Sequence, residues 1–180
     1  GYVDNIKLEE GDTKPVVIVV ENLLEDPGFE TAGSTGIASS PWILTGTPGV
    51  NTWGNNLKFD GNGAHAGSYG LNYWHGNAVE DDFTIHQTVT VETVGTYTLS
   101  YFIYGGDYNA TNSANTKISV SQNDAVIKEM AIPVSTGGFT EKMLEDIALS
   151  TGEVTVTIRI QTTGSNTWIK LDDFVLTRVD

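Results

Sequence analysis

Cysteine is absent from the 180 residues of this chain. Neither disulfides nor thiolate metal sites can stabilise it, and thiol redox chemistry is excluded. Positive charge is scarce as well: nine Lys and Arg stand against 23 Asp and Glu, a formal net charge of -14. A surface of that sign repels the phosphates of nucleic acids and anionic lipid, so neither nucleic acid nor membrane is expected as a partner. No apolar run approaches the roughly 20 residues a membrane helix needs, and the N-terminus lacks the basic-then-apolar order of a signal peptide. Helical patterning is also in short supply. Only "FTEKMLEDIALS", Phe139–Ser150, has a helix-like composition, and its place between two strand-like runs favours a strand.

Alternation is what the chain has in quantity. Phe83, Ile85, Gln87, Val89 and Val91 share one face of a strand while Thr84, His86, Thr88 and Thr90 share the other. "TYTLSYFIY", "TKISVSQ" and "VTVTIRIQ" repeat the scheme, separated by turn clusters such as "QND", "STGG", "STGE" and "TTGSN". Strands of this composition at spacings of about 8–15 residues predict an all-β fold, a two-sheet antiparallel β-sandwich or jelly roll. The length suits one domain with a single core and a short appendage.

The two ends of the chain resemble each other. Val3-Asp4-Asn5-Ile6-Lys7-Leu8 lies over Leu171-Asp172-Asp173-Phe174-Val175-Leu176, with apolar residues at the first, fourth and sixth positions of each. "EEGDTKP" at 9–15 is charged, ends in proline and reads as a linker. Residues 1–15 are therefore expected to be the last strand of a preceding module plus a linker, and 16–180 the module itself, ordered from about Asn22. A chance likeness, or pairing of residues 2–8 with this domain's own sheet edge, are the alternatives.

The stretch "IKLDDFVL" breaks the alternation. Ile169 and Leu171 set an inward phase that would next place Asp173 inward, yet Phe174 and Leu176 are the apolar residues that follow. A bulge at the aspartates would turn a carboxylate toward the sandwich edge, where it needs a cation or several donors. Calcium, a hard ion that takes six to eight oxygens, suits a chain without cysteine.

Three stretches go beyond the fold class: "NLLEDPGFE" at Asn22–Glu30 followed by Pro41-Trp42, "AHAGSYGL" at Ala64–Leu71, and "WIKLDDFVL" at Trp168–Leu176. In this order, with "TIHQTVTV" and "GTYTLSYFIYGG" between them, they resemble the jelly-roll carbohydrate-binding modules of the group that includes families 4, 9, 16 and 22. The resemblance spans nearly all of residues 22–180. "GLNYWHG" and "TLSYFIYGGD" look most like carbohydrate-binding module family 61, whose members accompany bacterial endo-β-1,4-galactanases and bind β-1,4-galactan. The resemblance implies a secreted, non-catalytic and monomeric module, attached to a glycoside hydrolase and to other modules of the same chain. It also implies a structural Ca2+ held by Glu30, the carbonyl of Gly28, backbone oxygens around His65 to Ser68, and Asp172.

Sugar recognition needs flat apolar platforms for the C–H faces of a pyranose and amides or carboxylates for its hydroxyls. Trp42, Tyr97 and Tyr101 lie in core contexts and are assigned to packing. Trp53 in "NTWGNN", Trp74 at the end of "LNYW", and Tyr104 and Tyr108 around "YGGDYN" lie in or beside loops rich in Gly, Asn and Asp and form the candidate platform. His75, Asn77, Asp107 and Asn109 are the candidate hydrogen-bonding partners, with His86 reaching the same face from the polar side of its strand. Trp168 is compatible with either role.

Other chemistries find little support. Glu80-Asp81-Asp82 brings three carboxyls together, but neighbours on a strand point to opposite faces, so they do not make the spaced pair a glycosidase needs, and a loop charge cluster of this kind is expected to be solvated. His65, His75 and His86 have no zinc spacing, and no serine has a nucleophile-elbow context. A structural or adhesion β-sandwich without sugar binding is the alternative reading.

Overall fold

The structure is a computed structural model, and it describes residues 21–76, 80–107, 115–162 and 167–180. Residues 1–15, together with Asn77, Tyr108 and Asn109 of the expected sugar site, lie outside the described residues.

Alternation produces the sandwich expected from it. Among the described residues twelve strands run in chain order: β1 (Ile43–Thr45), β2 (Val50–Asn51), β3 (Gly54–Asn55), β4 (Leu57–Asp60), β5 (Gly70–His75), β6 (Asp81–Val91), β7 (Gly95–Asp107), β8 (Lys117–Gln122), β9 (Ala125–Ala131), β10 (Ser135–Leu149), β11 (Gly152–Thr162) and β12 (Thr167–Arg178). Two five-stranded sheets form, in the orders β1-β6-β11-β8-β9 and β10-β7-β12-β5-β4, and β2 and β3 make a separate hairpin. Every pairing is antiparallel. The chain crosses between the sheets several times, so their inner faces close on one core that includes Phe83, Ile85, Leu99, Ile103, Val156, Ile158, Ile169 and Leu171.

Phe139–Ser150 is a strand, as its flanks suggested, and nearly all of it lies in β10. It bulges between Leu144 and Ile147, where Asp146 takes a left-handed φ of 57°. The phase slip in "LDDFVL" is a bulge too: pairing of β12 with β7 shifts between Asp172 and Val175, and Asp173 has φ 53°. That extra residue lets Leu171 and Phe174 both face the core, and it puts Asp172 fully inside.

A short helix, α1 (Glu30–Thr35), departs from the expectation of strands alone. Its early N–H groups are held from outside the helix, Thr31 by Asp26 Oδ1 at 2.9 Å and Ala32 by Asp26 Oδ2 at 3.1 Å. The segment before it is tied to the last strand. Leu23 N–H donates to the Leu176 carbonyl, Asn22 Nδ2 to that of Phe174, and Phe174 N–H to that of Pro27. Phe29, Trp42, Tyr101 and Phe174 pack there with ring centroids 5.3–6.0 Å apart, which settles Trp42 and Tyr101 as core residues; Tyr97 is likewise buried.

Candidate functional site

The outer face of the β10-β7-β12-β5-β4 sheet gathers partly exposed aromatics. Since Tyr73 and Leu71 on β5, Ile169 and Leu171 on β12, and Ile103 on β7 all point inward, their neighbours point outward. The register then aligns Trp74 with Trp168, and Asn72 with Lys170 and Tyr104. Tyr104 meets Trp168 edge-on at 4.9 Å, and Lys170 Nζ lies 5.5 Å and 5.7 Å from those two ring centroids. The strip continues through Phe139, 5.6 Å from Tyr104 and 5.3 Å from His65, to Phe102, on which His65 stacks at 3.7 Å. Gly105, at φ 93°, permits the close approach: a Cβ there would collide with the backbone and ring of Trp168.

Beyond β4 the β2–β3 hairpin carries Trp53 at its tip, 75% exposed. Trp53 and Trp74 line a groove of about 160 Å³ with Asn51, Asn55, Asn56, Lys58 and Asn72. Two indoles, four amides and an ammonium are the surfaces that C–H faces and hydroxyls need.

Trp53, Trp74 and Tyr104 are therefore brought to one side of the molecule, with Trp168 joining them. Two histidines correct the expectation. His75 is buried and faces inward beside Tyr73, because it follows outward-facing Trp74 on the same strand and side chains alternate. His86 lies on β6, opposite Ile43 and Thr157, and so belongs to the other sheet. Asp107 ends β7, its backbone paired with Thr167. The Asn51, Asn55, Asn56, Lys58, Asn72, Lys170 and Phe139 side chains were missed by sequence reasoning. Inward Ile169 and Leu171 would have sufficed to place Trp168 and Lys170 outward; nothing local marks the remainder.

The acidic triplet is divided rather than uniformly solvated. Asp81 is buried, Asp82 pairs with Arg159 at the surface, and Glu80 accepts from Gln161 Nε2.

The second cluster lies at the β12 bulge. Asp172 Oδ2 accepts from the N–H groups of His65 at 2.7 Å and Ala66 at 3.2 Å, and Oδ1 accepts from Asp173 N–H at 2.9 Å. Glu30 Oε1 accepts from Ser68 N–H at 3.0 Å and Tyr69 N–H at 3.3 Å. Glu30 and Asp172 thus hold the two ends of the 65–69 loop. Three carboxylates converge around Gly28: a Cβ placed there would lie 3.3 Å from Asp172 Oδ1, 3.3 Å from Asp173 Oδ1 and 3.9 Å from Glu30 Oε1. Burial, and secondarily the charge of Asp173, push the Asp172 carboxyl up to about 6, against the pull of the loop N–H groups. His65 Nδ1 approaches Asp173 Oδ2 at 2.7 Å. Among the described residues no group of three His, Asp or Glu side chains forms a metal site alone. An ion here would need backbone or solvent oxygens in addition, which is how calcium is usually held.

The two-sheet antiparallel jelly roll is a fold that solved carbohydrate-binding modules also have. Compared with protein-family models and with curated proteins, the sequence matches none. Among solved structures, the chain is similar to TmCBM61 in complex with β-1,4-galactotriose, at 24% identity and TM-score 0.60, over 88% of this chain and 99% of that one. It is similar as well to a family 16 carbohydrate-binding module, at 17% identity and TM-score 0.51, over 87% and 100%. A cyclase from Fischerella sp. TAU in complex with 4-(1H-indol-3-yl)butan-2-one shares the fold at 15% identity and TM-score 0.54, over 88% and 97%. At these identities the likeness is one of fold, and the fold serves both binding and catalysis.

Proposed function

We propose that this chain is a non-catalytic carbohydrate-binding module that recognises plant cell-wall polysaccharide, β-1,4-galactan before others, and keeps an attached glycoside hydrolase at its substrate. The observation that carries the reading is the groove between Trp53 and Trp74, with amides and an ammonium on its walls and Trp168 and Tyr104 continuing from it. Aromatic faces stack on the sugar while Asn55 and Asn72 meet hydroxyls. The contribution to hydrolysis is effective concentration rather than chemistry. Affinity for a single chain is modest, because binding orders both flexible sugar and side chains. The galactan preference rests on the resemblance of "GLNYWHG" and "TLSYFIYGGD" to family 61. Secretion from a bacterium and a monomeric state belong to the same proposal.

A structural Ca2+ at the β12 bulge completes it. Glu30, Asp172 and the oxygens about Gly28 and the His65–Ser68 loop would hold the ion, which would neutralise the carboxylates gathered there. It would fasten the segment before α1 to β12 at the edge of the sandwich.

Titration against β-1,4-galactan, xylan, arabinan and β-glucan, with a reducing-end assay alongside, tests the function. Galactan binding without release of reducing ends is the expected result. Silence across the panel would favour a structural or adhesion sandwich, and release of reducing ends would make the chain an enzyme.

A further inference from the structure

Trp53 leaves its indole bare, yet both polar groups of its backbone are held. Its N–H donates to Asn51 Oδ1 at 2.7 Å and its carbonyl accepts from Lys58 Nζ at 3.0 Å. From Asn51 the bonds run inward. Asn51 Nδ2 donates to Asn56 Oδ1 at 2.8 Å, and Asn56 Nδ2 donates to Asp81 Oδ2 at 2.7 Å. The Asp81 carboxylate, 3% exposed, also accepts from the Tyr73 hydroxyl and the Gly49 N–H, each at 2.7 Å. Because the tyrosine proton goes to the carboxylate, Thr162 Oγ1, 2.9 Å from the Tyr73 oxygen, is the donor in that pair. Gly49 is suited to this approach, since a Cβ would stand 2.7 Å from Asp81 Oδ1.

The charge at the inner end dictates the direction of every bond outward. A carboxylate accepts only, so Asn56 must present its NH2 inward and its carbonyl to Asn51. Asn51 must then turn its NH2 inward and its carbonyl to the Trp53 N–H. Hydrogen bonds to a buried charge are shorter and stronger than neutral ones, which makes the arrangement single-valued. A ring on a two-residue hairpin turn would otherwise lose its freedom upon binding, and a pre-set ring avoids that cost.

We propose that Asp81 is a positioning residue for polysaccharide recognition: through the amides of Asn56 and Asn51 its charge holds Trp53 as one wall of the groove shared with Trp74. The proposal rests on the sugar-binding reading above. Asp81 does not touch the sugar and acts only through Trp53.

The test uses the full chain with Asp81→Asn, Asn51→Ala and Trp53→Ala, plus the two double variants that combine Trp53→Ala with each of the others. Affinity for β-1,4-galactan is read by affinity electrophoresis, and backbone order at Trp53 by 15N relaxation without sugar. Asp81→Asn and Asn51→Ala should each weaken binding by roughly tenfold, the scale of one hydrogen bond lost from the relay. Each double variant should bind no more weakly than Trp53→Ala alone. The order parameter of the Trp53 amide should fall from about 0.85 to below about 0.6. Should Asp81→Asn not fold, Asn51→Ala breaks the same relay outside the core and carries the test. Unchanged binding and unchanged Trp53 order in a folded variant would overturn the proposal, as would penalties that add in full to that of Trp53→Ala. If the wild type binds none of the panel, the sugar reading fails, and the order parameter alone decides whether Asp81 positions Trp53.

Discussion

Asp81 and Asp172 are both buried carboxylates, and the molecule treats them in opposite ways. Asp81 meets three neutral donors from Gly49, Asn56 and Tyr73. Asp172 also has N–H donors, but burial pushes its carboxyl up to about 6, and it shares its surroundings with Asp173 and Glu30 across Gly28. A buried charge that the protein satisfies with neutral groups becomes a fixed point from which other side chains are oriented. A buried charge left among like charges invites a cation.

The largest expected effect comes from the proposed calcium. Melting in calcium and in excess chelator should differ by several degrees, since a ligand at 100 to 1,000 times its Kd adds about 3–4 kcal/mol. Asp172→Ala should melt low and ignore calcium, while galactan binding at room temperature persists as long as the fold does. Identical melts of the wild type in both buffers, with elemental analysis showing the chelated protein to be free of metal, would erase the contrast between the two aspartates.

Next in size is the platform. Trp74→Ala should cost on the order of 2 kcal/mol of binding, about thirtyfold, while its melting temperature and its calcium response stay those of the wild type. A folded variant with undiminished affinity would remove Trp74 from the site.

The pH dependence is smaller and its sign is specific. A carboxyl raised from 3.8 to about 6 holds its proton more tightly folded than unfolded. In chelator, Asp172 therefore favours the folded state as pH falls from about 6 toward 3.8, and that contribution disappears as pH rises through about 6. Calcium needs the ionised form, so the melting increment it gives should be large near pH 7.5 and small near pH 5, at matched calcium. Equal increments would show that Asp172 does not bind the ion.

Smallest of all is Asp82→Ala. The Asp82–Arg159 pair is at the surface, where such bridges contribute about 0–1 kcal/mol, so stability and galactan affinity should hardly change. A large loss of binding there would mean that the triplet acts as a unit, contrary to the division between buried Asp81 and exposed Asp82.

Much of the fold was legible because its signals are local. Alternation across Phe83–Val91 marked the inward face of β6, and the apolar residues on either side of Asp172-Asp173 located the bulge. The candidate site was legible in part. Trp53, Trp74 and Tyr104 were identifiable from their loop contexts, and the outer sheet face and hairpin bring them to one side. His75 and His86 were misplaced because a period of two separates faces without saying which one meets the core or which sheet the strand joins. Asp81 looked like one of three solvated acids; its neighbours Gly49, Asn56 and Tyr73 belong to other segments of the chain.

What the sequence determined by itself is therefore the all-β class, the strand phases, the break at Asp172-Asp173 and a charge that disfavours nucleic acid. These follow from backbone sterics, side-chain alternation and composition, which each segment carries without reference to the rest. Only the tertiary structure decided that Glu30 and Asp172 grip one loop, that Trp168 stands beside Trp74, and that Asp81 is joined by two amides to Trp53. Strand order and register set those contacts, and both are settled when the two sheets close on a common core.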